Sequence, residues 1–140
     1  MQITEEWLRE PVLNSSRIIA ACGLKRPQEL RAWCLKWLNG EAKMSGTKGK
    51  MGIYSRLDAL CLSLGRMLVD LGLQGAKVKS AVKQFRTLLV TGRYQGTCLK
   101  ITRDEVLMLQ DGDVIPCQPE ACVTMSLGKF VEREVERECY

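Results

Sequence analysis

The chain has 140 residues, enough for one ordinary domain with a core of its own; 46% of them are hydrophobic, 26% charged, and the formal charge is +5. It contains no histidine, which removes the usual acid–base group of neutral-pH catalysis and the usual partner of cysteine in mixed zinc sites, and its seven cysteines form no Cys-x-x-Cys pair. No apolar run reaches the length of a membrane span, and Glu5, Glu6 and Trp7 stand where a secretory signal needs a basic start and an apolar core, so a cytoplasmic protein without membrane contact is expected.

Residues 4–10 predict a short leading helix. In "SSRIIAACG", Ser15 or Ser16 can cap a second short helix that turns Ile18, Ile19 and Cys22 inward, and Gly23 supplies the backbone freedom of a C-cap. "GLKRP" is then a turn carrying Lys25 and Arg26. In "PQELRAWCLKWLN" the residues Leu30, Trp33, Cys34, Trp37 and Leu38 fall at helical spacing and predict one buried stripe. Pro27 suits the first helical position, and Glu29 stands in the first turn, where the macrodipole favours an acid. Gln28, Ala32, Lys36 and Asn39 lie opposite the stripe, with Arg31 on its flank, and a face of that kind fits a major groove. Two helices joined by a tight glycine-containing turn match the helix-turn-helix plan, which helical hairpins without a DNA function share.

Residues 40–54, "GEAKMSGTKGKMGIY", hold four glycines, with Lys43, Lys48 and Lys50 projecting from a hairpin-like loop. We read it as a wing whose arms pack through Met44, Met51, Ile53 and Tyr54; a flexible lysine-rich linker is the alternative. Ser55 and Asp58 then form a capping-box start to a core helix with its stripe at Leu57, Leu60, Cys61, Leu64, Leu68 and Leu71, ended by Gly72. A further helix over residues 75–90 buries Val78, Val82, Phe85 and Leu89 and turns Lys77, Lys79, Lys83 and Arg86 outward, a face that solvation alone can explain.

This order of elements resembles the DNA-binding domain of the MerR-type winged helix-turn-helix regulators over about residues 13–90. The matching residues are Ile19, Ala20, Gly23, Leu24, Leu30, Arg31 and Trp33, then Tyr54, Asp58, Leu60, Leu64, Leu68 and Gly72. The resemblance implies that the helix after Pro27 is the recognition helix, that Lys48 and Lys50 approach phosphates from the wing, and that Tyr54 with Arg56 braces the DNA backbone beside it. No paired cysteines stand where metal sensors of that family bind ions, so no metal is expected.

The last third has another texture. Leu99 and Ile101 alternate with polar residues, residues 106–109 are apolar, Asp111 and Gly112 mark a turn before Val114 and Ile115, and residues 122–127 offer one more strand before a charged helix with Phe130, Val131 and Val135 on one side. Cys117 and Cys122, four residues apart across Pro119, read as structural thiols rather than metal ligands. The expected architecture is mainly α with a small β portion: a winged helix-turn-helix domain over residues 1–92, and a tail over 93–140 of short strands and a terminal helix that packs on the helical part or on a second copy, giving a homodimer.

Residues 1–93 hold sixteen Lys and Arg against seven Asp and Glu, a charge of +9, whereas residues 94–140 hold five against nine, a charge of −4. "SGTKGK" lacks both the preceding apolar strand and the Gly-Lys-Ser/Thr ending of a phosphate loop, and no acid cluster has metal-site spacing, so no enzyme and no cofactor is expected. Two functions remain. In the first, a sequence-specific protein on double-stranded DNA, a transcriptional regulator, neutralises phosphates with its turn and wing cations and brings Gln28, Arg31, Lys36 and Asn39 to base edges. In the second, a non-catalytic adaptor or assembly protein holds a protein partner through Trp33, Trp37 and the leucine stripes.

Overall fold

Thr4 opens the first helix, α1 (Glu5–Arg9), its hydroxyl accepting the Trp7 amide at 3.2 Å, with Glu5 and Glu6 in the first turn and Arg9 in the last, as the macrodipole favours. In this computed structural model, residues 3–24, 26–37, 53–101, 106–110 and 123–136 are described. The short strand β1 (Pro11–Asn14) leads directly into α2 (Ser15–Cys22). The cap of α2 is Asn14, whose side chain accepts the Arg17 amide at 2.9 Å. Ser15, one of the two residues expected to cap, is already the first helical residue, because Asn one step earlier does the same work.

Helix α3 (Pro27–Trp37) begins at its proline, and β2 (Ile53–Ser55) pairs antiparallel with β1, Leu13 opposite Tyr54 and Asn14 opposite Ile53. The loop reading placed Ile53 and Tyr54 in a hairpin of their own; in the described part they are strand partners of a segment about 40 residues earlier. The rest of that loop lies outside the described residues, as do Asp111, Gly112, Val114, Ile115, Cys117 and Cys122.

Helix α4 (Arg56–Asp70) starts at a complete capping box: the Ser55 hydroxyl accepts the Asp58 amide at 3.1 Å and the Asp58 carboxylate accepts the Ser55 amide at 3.2 Å. Every residue from Leu57 to Gly65 is buried, so this segment is enclosed all round, where a single stripe was expected. α1, α2 and α3, the β1–β2 pair, and α5 (Gly75–Thr91) pack around it. The far end of α4 is different, with Leu71 48% exposed although periodicity placed it in the stripe. In α5 the expected residues Val78, Val82, Phe85 and Leu89 are all core.

A single 3-10 turn over Arg93–Gly96 leads into β3 (Thr97–Ile101), which lies between β4 (Val106–Gln110) and β5 (Val123–Ser126), both antiparallel to it. Leu99 stands opposite both Met108 and Met125. Helix α6 (Leu127–Glu136) packs on this sheet, and its Phe130 meets Phe85 of α5 edge to face, ring centres 5.9 Å apart. The tail thus packs on the helical part, and one buried cluster runs from Leu8 to Val131. The protein is mainly helical with two small antiparallel sheets, and no helix among the described residues is long and apolar enough to cross a membrane.

Candidate nucleic-acid interface

The geometry of the α2–α3 pair begins at Gly23. It sits at φ +68°, a left-handed conformation that side chains other than glycine adopt with strain, and it lets the Leu24 amide reach back to the Ile19 carbonyl at 2.9 Å, the bond pattern that ends a helix sharply. Leu24 then turns into the core. The carbonyls exposed by this ending carry the negative end of the α2 dipole, and Arg66 of α4 answers them: its guanidinium donates to the Cys22 carbonyl at 3.3 Å and to the Gly23 carbonyl. The same side chain is paired with Asp70 at 3.1 Å and lies 6.0 Å from the Trp33 ring centre. One arginine therefore joins the end of α2, the middle of α3 and the length of α4.

Helix α3 is fixed on the same face by Trp37, which is 5% exposed and lies against Trp33 with ring centres 4.4 Å apart. Gly65 makes the approach possible, because a Cβ there would stand 2.5 Å from Cε3 of Trp37. Leu30 is buried beside them, while Gln28 and Ala32, one turn apart on the opposite side, are exposed. The Nε1 of Trp37 is buried and has no acceptor among the described residues.

Of the residues that sequence assigns to DNA, Arg26 and Gln28 are exposed where the turn enters α3, and Arg31 and Lys36 occupy positions of α3. Lys25, Asn39, Lys43, Lys48 and Lys50 lie outside the described residues. Tyr54 lies in β2 and Arg56 is the first residue of α4. Tyr54 is 6% exposed and belongs to the core cluster. Arg56 donates to the Trp7 carbonyl at 3.0 Å, pairs with Glu10 at 2.9 Å and lies 4.4 Å above the Trp7 ring, so its charge secures α1 to the start of α4. Arg86, expected to face solvent, instead pairs with the buried Asp58 at 3.1 Å. For Arg66 the sequence offers only Asp70 at i+4 as a local signal, because carbonyls more than 40 residues away leave none.

The described residues contain no group of three or more His, Cys, Asp or Glu able to hold a metal ion. No family model matches the chain, and no curated protein is significantly similar to it.

Proposed function

We propose that the protein binds double-stranded DNA as a sequence-specific, non-enzymatic regulator, with α3 entering the major groove. The observation that carries this reading is the α2–turn–α3 unit: a sharp glycine ending clamped by Arg66, followed by a helix anchored through Leu30 and Trp37 that keeps Gln28 and Ala32 at the surface. Arg26 and Lys25, and Lys43, Lys48 and Lys50 in the segment before β2, would supply phosphate contacts, and Gln28, Arg31, Lys36 and Asn39 would meet base edges. The +9 charge of residues 1–93 favours the same partner. The chain order helix, strand, helix, helix, strand, with β1 paired to β2, suits a winged arrangement of the MerR-type kind, in which β2 returns from the wing. A homodimer would present two such units to two half-sites.

The adaptor reading loses most of its surface, since Trp37 and the leucines of α4 are internal and Val69, Leu71 and Leu107 are the large exposed hydrophobics among the described residues. Titrating labelled genomic duplexes by fluorescence anisotropy at rising salt separates the two readings. DNA binding predicts a log–log slope of roughly −0.9 per neutralised phosphate, and absence of binding even at low salt overturns it. The Lys48→Ala, Lys50→Ala double variant should lose affinity for all duplexes alike and flatten that slope by about 1.8, because phosphate contacts carry no base information.

A further inference from the structure

Helix α5 carries cations along its length and no acid at all: residues 75–91 hold Lys77, Lys79, Lys83 and Arg86 and not one Asp or Glu. Arg86 is paired with the buried Asp58, whereas the three lysines are exposed and their ammonium groups enter no ion pair among the described residues. Solvation explains exposed lysines as such, but not where these stand. The first turn of a helix carries the positive end of its dipole, and α1 and α4 meet it with acids, Glu5 and Glu6 in one and Asp58 in the other. α5 has Lys77 there instead, and its N-cap, Gln74, makes no side-chain cap hydrogen bond. Lys79 and Lys83 follow one turn apart on one face, a like-charge spacing that weakens a helix. The exposed face is built against the stability of its own helix, a local conflict of the kind that binding sites carry.

The position of α5 indicates the partner. α3 packs against both α2 and α5, which share at most a marginal contact with each other, so α5 flanks the helix assigned to the major groove. Packed helix axes lie about 8–10 Å apart and the major groove is about 12 Å wide, so the neighbour of a helix in the groove stands over the sugar–phosphate strand at its edge. Phe85 faces Phe130 of α6. Lys79 and Lys83 stand about 120° and 160° round α5 from Phe85, turned from α6, and Lys77 only about 80° from it. A membrane surface would need large apolar residues beside the cations, but Val78, Val82, Phe85 and Leu89 are in the core. Protein interfaces are poor in lysine at their centres.

We propose that Lys79 and Lys83 hold phosphates of the DNA strand bordering the groove that α3 enters, extending the footprint one helix beyond the α2–α3 unit. The contact rests on the DNA reading above and adds positioning without base information.

The test titrates the full chain against a labelled genomic duplex and a random duplex by anisotropy at rising salt, and against vesicles rich in phosphatidylserine. Lys79→Ala with Lys83→Ala should keep or raise Tm, because it removes a like-charge pair and adds helix-favouring residues. It should flatten the log–log salt slope by about 1.8 and weaken both duplexes alike, by roughly tenfold or more at about 0.1 M salt. Lys79→Arg with Lys83→Arg keeps the charges and should restore the slope, and Lys77→Ala should leave it nearly unchanged. Absence of duplex binding by the unaltered chain overturns the DNA reading and this contact with it. If the unaltered chain binds, the contact alone is overturned by a double alanine variant that keeps the slope, by Lys77→Ala flattening it as much per charge, or by a loss confined to the vesicles.

Discussion

Helices α3 and α4 touch each other and share a vocabulary of leucine, cysteine and a few charges, yet they are used in opposite ways. From Leu57 to Gly65 α4 has no solvent side, and its one buried acid, Asp58, is occupied by its own cap and by Arg86. α3 is anchored along one edge by Leu30 and Trp37 and keeps Gln28 and Ala32 outside. Every residue in the enclosed part of α4 is accounted for by packing, whereas the outer residues of α3 contribute nothing to the core and are available to a partner. Function is therefore to be sought on the helix whose composition packing explains least.

Substitutions grade this contrast by their effect on stability. Trp37→Ala removes the anchor of α3 and should destabilise by about 3–5 kcal/mol, read as a lowered denaturant midpoint; a midpoint equal to that of the unaltered chain would mean that α3 is not held by this edge. Asp58→Ala removes half of the capping box and the ion pair with Arg86, and about 2–3 kcal/mol is expected. Gly65→Ala gains up to about 1 kcal/mol of helix propensity but drives a methyl into Trp37, for a net loss of about 1–2 kcal/mol. In the Trp37→Ala background the clash is gone and the same substitution should instead gain up to about 1 kcal/mol, so a double-mutant cycle locates the contact. Arg31→Ala should leave stability within about 0.5 kcal/mol and lower discrimination between specific and random duplexes by about 1–3 kcal/mol. If it unfolds the protein and leaves that ratio intact, the two faces of α3 have been exchanged.

Signals confined to a few neighbouring residues were legible in the sequence. Pro27 marks the start of α3, Ser55 with Asp58 the start of α4, and Gly23 the end of α2, because caps depend on chemistry within one turn. The apolar residues of α5 follow from period alone. What periodicity cannot report is how many neighbours surround a helix: Ala59, Leu62 and Ser63 are off the stripe of α4, yet they are buried because helices and strands close on all sides of it. The pairing of β1 with β2 was hidden for a related reason, since four residues opening on a proline show no alternation and the partner is distant in sequence. Arg56 and Arg86 are read as surface charge in any single-sequence view, and only the fold brings Glu10 and Asp58 to them. Glu134 likewise belongs to a charged helix but is buried.

The grip of Arg66 on the carbonyls of Cys22 and Gly23 has a consequence in time. Its donors hold main-chain atoms, which cannot swing away as side chains do, so the end of α2 cannot shift relative to α4 unless these charged hydrogen bonds are given up together. If duplex DNA is the partner, as proposed, a unit held in this way meets it in its final shape. Association should then follow one second-order phase whose rate rises in proportion to concentration, with no plateau from a preceding unimolecular step, and stopped-flow mixing of the unaltered chain with Arg66→Met would show the slow phase only in the variant.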